Sequence, residues 1–173
     1  DVNQQWDRTT AARMGRALEE FDLTWIEEPL DAHDLEGHAA LAAQLITPVG
    51  TGEMLGSAAE VCAFVERGAV DVIMHDAPRI GGFTPFLQVA EAARRRGIVM
   101  APHFVMELHI HLAAAYEHAT WVEHFEWLEP LFQERLEIRD GCMQVPTRPG
   151  LGLSLSEQVA GWTLASDAFG QRG

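Results

Sequence analysis

Lysine is missing from all 173 residues, so each of the twelve basic side chains is an arginine. No ammonium side chain of these residues can therefore serve as a base. Cysteine is scarce: Cys62 and Cys142 lie 80 positions apart, with no CxxC or Cys/His metal spacing. Cys62 falls mid-helix, where a free thiol packs as a small apolar group, and a reduced, cytoplasmic protein is expected. No apolar run approaches the roughly 18 residues of a membrane span, no low-complexity tract occurs, and the first residues do not read as a signal peptide. Positive charge is outnumbered: the formal net charge is −14, which argues against a nucleic-acid surface. An all-negative pocket would repel an anionic substrate unless a cation neutralised it.

What is present is a regular alternation of short apolar runs and amphipathic helices. Thr9 to Glu20 reads as a helix with Ala11, Met14, Ala17 and Leu18 on one stripe. Asp34 caps a helix through Leu35, His38, Leu41 and Leu45. Ser57 caps another through Val61, Phe64 and Val65, stopped near Gly68. Further helices are expected over Pro85 to Arg96 and Met106 to Tyr116. Strands are expected at Leu23 to Ile26, Pro48 to Thr51, Val70 to Met74, Ile98 to Ala101 and Trp121 to Phe125. Such alternation points to βα units and a parallel sheet. After residue 130 the character changes. Leu136 to Arg139 and Met143 to Val145 flank Asp140-Gly141, a hairpin signal, and Ser156 to Ala165 reads as a terminal helix. The expected domains are 1–130, part of a barrel, and 131–173, an extension packed outside it.

The strand ends carry the chemistry. Asp1, Glu27, Glu53, Asp76, His103 and Glu123 are spaced by 26, 26, 23, 27 and 20 residues, each at or just past the end of a strand. A (β/α)8 barrel repeats every 25–30 residues or so and gathers its active site at that face. An open doubly wound sheet collects functional groups only at its switch point, so the barrel reading is preferred.

Asp1, Glu27 and Glu53 would aim three carboxylates at one point. Like charges that close resist joint ionisation unless a cation compensates, and oxygen-only ligands favour a hard ion such as Mg2+. Glu28, next to Glu27, is expected on the other face or the rim. Asn3 shares the parity of Asp1 and could assist the site. Asp76 and His103 end successive strands, where a carboxylate can fix the imidazole tautomer and raise its basicity for acid–base work. Glu123 could meet a substrate oxygen, and Arg79 with Ile80-Gly81-Gly82 forms the turn after Asp76, where backbone can approach a ligand. The other histidines, His109 and His111 among them, have no site assigned.

Six segments, DVNQQW at 1–6, WIEEPL at 25–30, GEML at 52–55, HDAPRIGG at 75–82, APHF at 101–104 and WVEHFEW at 121–127, resemble the enolase superfamily, in particular its mandelate racemase group. The stretches EEPLDAHDLEGHA and PHFVMELHIHLAAAY look most like the acid-sugar dehydratases of that group. The resemblance implies a (β/α)8 fold with Asp1, Glu27 and Glu53 as Mg2+ ligands. It further implies an Asp76–His103 dyad and Glu123 on the substrate carboxylate. The implied reaction is removal of the proton α to a carboxylate and loss of a β-hydroxyl, giving a keto-deoxy acid. Racemisation or epimerisation of 2-hydroxy acids is the alternative, and a non-catalytic barrel remnant a second. The lack of lysine speaks against muconate-type cycloisomerases.

The family's Lys-x-Lys motif and its N-terminal α+β capping domain are not in this sequence. Residues 1–173 are therefore expected to be a fragment of about the last six βα units plus the tail, poorly active alone. The expected partners are an acid sugar or 2-hydroxy acid, the capping segment, and further copies in a homo-oligomer. Neither nucleic acid nor membrane is expected as a partner.

Overall fold

The computed structural model describes residues 1–118 and 120–162, in two compact units, one spanning Asp1–His124 and one beginning at Phe125. Among the described residues no helix is long and apolar enough to cross a membrane.

Side-chain caps start the first three helices of the first unit. Asp7 accepts from Thr10 N at the head of α1, Arg8–Leu18, and Asp34 from Gly37 N at the head of α2, Leu35–Ala42. Helix α3, Ala58–Arg67, begins with a reciprocal cap: Ser57 Oγ accepts from Glu60 N at 3.3 Å, while Glu60 Oε2 accepts from Gly56 N at 3.0 Å. Ser57→Ala should lower stability by about 1 kcal/mol in urea unfolding. Helix α4, Phe83–Arg96, and α3 both stop at glycines in the left-handed region, Gly97 and Gly68. Helix α5 is Met106–Ala114. The expected helix to Glu20 ends at Leu18 and tightens into a 3-10 turn, Glu19–Phe21.

Four strands pair in parallel in chain order: β1 Ile26–Glu27, β2 Val49–Thr51, β3 Val72–Ile73 and β4 Val99–Met100. Backbone bonds continue the sheet at both edges, from Val2 N to Glu27 O at 2.9 Å and from Trp121 N to Met100 O at 2.8 Å. This is part of a (β/α)8 barrel, the helices following the strands one for one. The ladders are shorter than the apolar runs because the chain turns early. Glu28 at φ 41° ends β1 and Gly52 at φ 132° ends β2. The strand expected over Trp121 to Phe125 shrinks to a bridge between Thr120 and Met100. Beyond it, the Glu123 carboxylate accepts from Phe104 N and draws the chain over the β4–α5 loop.

Alternation sorts the strand side chains. Ile73 and Met100 join the main core, with Val61, Phe64, Phe86 and Val89 of the helices. Val72, Met74 and Ala101 form a separate cluster with Trp25 and Val99 on the opposite face of the sheet. A second core cluster joins Ala11, Leu30, Leu41 and Val49.

In the second unit a 3-10 helix, Glu126–Leu131, precedes the expected hairpin, which forms as β5 Ile138–Arg139 against β6 Cys142–Met143. Asp140 at φ 51° and Gly141 at φ 75° supply the two left-handed residues that such a two-residue turn requires. Of the expected helix Ser156 to Ala165, α6 covers Gln158–Trp162, and positions beyond 162 lie outside the described residues.

Candidate active site

Asp76 shares the strand parity of Val72 and Met74, and His103 that of Val99 and Ala101. Both therefore leave the sheet on the face opposite the helices. There they meet: His103 Nδ1 lies 3.1 Å from Asp76 Oδ2. A carboxylate only accepts, so Nδ1 carries the proton and Nε2 faces away from Asp76. Nε2 is 3.8 Å from Glu53 Oε2. Asp76 is 4% exposed, and its Oδ1 accepts from Arg79 N at 3.3 Å. Burial pushes its pKa up, but the His103 and Arg79 hydrogen bonds outweigh that and leave it below the usual carboxylate range. The hydrogen bond to Asp76 lifts the His103 pKa against burial, with Glu53 and Glu123 adding their negative charge. The Arg79 guanidinium sits beside Asp76, Nε to Oδ2 3.8 Å, and is part exposed.

The carboxylates gather around this dyad to different degrees. Glu27 and Glu53 are half-buried, and burial raises the pKa of each, with repulsion from other carboxylates, Glu123 included, working the same way. Trp25 Nε1 donates to Glu27 Oε2 at 3.3 Å. Asp1 is exposed and turned to its own neighbour, accepting from Asn3 N at 2.8 Å and Asn3 Nδ2 at 2.6 Å. Asp1, Glu27 and Glu53 accordingly do not form, among the described residues, a group whose ligand atoms all lie within 4.8 Å of one another. The donor chemistry fits a hard divalent cation at Glu27 and Glu53. Two half-buried, mutually repelling carboxylates gain most from such a charge, and Asp1 would exchange Asn3 for it.

Glu28 is not on the rim. It is 2% exposed, and Gln4 clamps it: Gln4 Nε2 donates to Glu28 Oε2 at 2.9 Å and Gln4 N to Glu28 O at 2.8 Å. Gln4 Oε1 also accepts from Ala32 N at 2.9 Å. The left-handed turn at Glu28 swings its side chain inward, where the charges of Glu53, His103 and Arg79 act on it. A regular strand alternation cannot anticipate that turn. Trp25, as a donor to Glu27, was legible only in that both share one face of the same strand.

A profile of the enolase C-terminal domain-like family matches residues 1–159. The chain belongs to that family. It is 56% identical over 172 residues to an L-talarate/galactarate dehydratase of Salmonella typhimurium, covering 99% of this chain and 43% of that protein. It is 34% identical over 162 residues to a 3,6-anhydro-alpha-L-galactonate cycloisomerase of Streptomyces coelicolor, covering 93% and 45%. Among solved structures, L-talarate dehydratase from Polaromonas sp. JS666 complexed with Mg and L-glucarate superposes with a TM-score of 0.90 at 66% identity. That superposition covers 92% of this chain and 45% of the other. The chain thus spans less than half the length of these relatives.

Proposed function

We propose that this enolase-family chain forms the metal-bearing part of a hydro-lyase that removes the proton α to the carboxylate of an acid sugar and expels the β-hydroxyl. The observation that supports it most is the His103–Asp76 hydrogen bond with Glu53 beside the free imidazole nitrogen. Glu27 and Glu53, joined by Asp1, would hold Mg2+. Bound there, the ion would withdraw charge from the substrate carboxylate and make the adjacent C–H more acidic. His103 Nε2 takes or gives the proton. As imidazole it accepts the α-hydrogen, and as imidazolium it protonates the departing hydroxyl, which leaves as water with the C–O bonding pair. Asp76 keeps Nε2 unprotonated at rest and favours the imidazolium once formed. Glu123, held by Phe104 N, would face the substrate carboxyl group, and Arg79, beside Asp76, and Asn3, hydrogen-bonded to Asp1, would contact other substrate oxygens. By the family resemblance an opposing lysine base belongs outside residues 1–173, so these residues alone would turn over poorly.

Galactarate incubated in D2O with Mg2+ and followed by proton NMR tests the reading. A keto-deoxy product supports it. Deuterium exchange without that product indicates epimerisation instead, and neither, with the full protein folded, sinks the catalytic assignment. Mg2+ binding offers a separate check. Glu53→Gln should weaken it about 10- to 100-fold by calorimetry.

A further inference from the structure

We propose that His109 is a positioning residue for the Asp76–His103 pair: by accepting the Ala77 N–H it fixes where the Asp76 carboxylate meets His103. This rests on the reading of that pair as the proton-transfer group. His109 is fully buried on α5, and its Nε2 accepts from Ala77 N at 3.0 Å. Helix α5 begins at Met106, three residues past His103, so the two imidazoles stand at the connection and on the first turn and a half of the helix that follows it. Ala77 directly follows Asp76. Beyond the sheet ladder, whose last bond runs from Ala101 N to Ile73 O at 3.0 Å, two side-chain bonds tie residues 76–77 to the β4–α5 unit, the 3.1 Å bond of the dyad and the 3.0 Å bond to His109.

The remaining bonds around Asp76 close the turn upon itself. Ile80 N donates to Asp76 O at 3.2 Å, Gly82 N to Ala77 O at 2.7 Å and Arg79 N to the Asp76 carboxylate. They shape the 76–82 turn without setting its height against His103. Phe86 completes the support, its ring between His75 at 4.0 Å and His109 at 5.7 Å, both stacked. Acceptance at Nε2 requires a neutral ring with its proton on Nδ1. Burial keeps the ring neutral, holding the His109 pKa down at about 4 against the attraction of Asp76, with His103 repelling on the same side, and the Ala77 N–H leaves the proton to Nδ1.

The test uses the reach of the acceptor. Glutamine places its carbonyl oxygen near the position of Nε2, and asparagine near that of Nδ1. His109→Gln should keep the His103 titration midpoint, read by histidine ring NMR, where the parent has it. His109→Asn should lower that midpoint toward the ordinary histidine value and cut kcat about 10- to 100-fold with KM unchanged. Folded Gln and Asn variants with the same His103 midpoint would overturn the proposal. A measurement on the parent protein needs no variant to fold: 15N shifts must show His109 Nε2 unprotonated at pH 7, and an Nε2–H tautomer rules the idea out. If no acid sugar is dehydrated at all, the functional reading fails, while the His103 midpoint still decides the role of His109.

Discussion

His103→Asn should reduce α-proton exchange by about 10³-fold or more while leaving Mg2+ binding close to the parent value. Asparagine can still donate a hydrogen bond to Asp76, so the turn after β3 keeps its partner. What it cannot do is change protonation state, and general acid–base groups contribute about 10² to 10⁴ in rate. The two ends of the dyad make separable predictions. Asp76→Asn retains the imidazole but offers it an amide, releasing the tautomer and removing the main cause of the raised His103 pKa. The rate loss should then come with a pH–rate profile shifted downward on the His103 limb. The measurement is exchange of the α-hydrogen in D2O by NMR, with calorimetry for the metal. A His103→Asn protein that exchanges at the parent rate would remove the dyad from the chemistry.

Acidification from pH 7 to 5 should cost the fold up to about 4 kcal/mol through His75 and His109, which refuse protons inside it, and buried His38, its pKa also lowered by burial, acts in the same direction. Burial, with repulsion from His109, pushes His75 from its ordinary 6.5 to about 3. Burial likewise pushes His109 to about 4. Between those values and 6.5 the unfolded chain binds protons that the native state does not, so stability rises with pH across that window. It is lost as the pH falls, by about 1.4 kcal/mol per histidine per unit.

Other groups reduce the slope. His103, with its pKa raised, contributes fully at low pH and loses its contribution as pH rises through its folded value. Glu27 and Glu53, raised by burial, oppose the histidines in the same way above the ordinary carboxylate range. Asp76 lies below that range, so its contribution holds until the pH falls under about 4. His75→Phe isolates the effect, since a phenyl ring can occupy the same stack on Phe86. The variant should lose about 2 kcal/mol less than the parent between pH 7 and 5 in thermal or urea unfolding. Parallel pH dependences for the two proteins would show that His75 does not titrate with unfolding.

Much of the site was legible in the order of residues alone. Acids and a histidine at near-equal intervals, each following an apolar run, fix a parallel βα architecture and place Asp76 beside His103 on neighbouring strands. The helix starts followed from Asp34 and Ser57, whose short side chains cap whichever helix begins after them. Less accessible was anything governed by a left-handed residue. Glu28 and Phe104 both have positive φ without being glycine, and each redirects the chain where alternation would have carried it on. Glu28 was expected on the other face or the rim for that reason, and the apolar letters of 121–125 suggested a strand that a carboxylate–backbone bond replaces. His109 stayed hidden for another cause: its partner is a peptide N–H, which every residue but proline possesses and which no sequence pattern marks.

His75 and Asp76 are consecutive, yet one is enclosed against Phe86 and kept neutral while the other faces the dyad and is kept charged. Their roles depend on the reading frame of β3 against the sheet. An insertion or deletion of one residue ahead of position 75 would exchange them, sending a carboxylate into the apolar layer and an imidazole to the mouth. Length variation among related chains should therefore be excluded from 70–76.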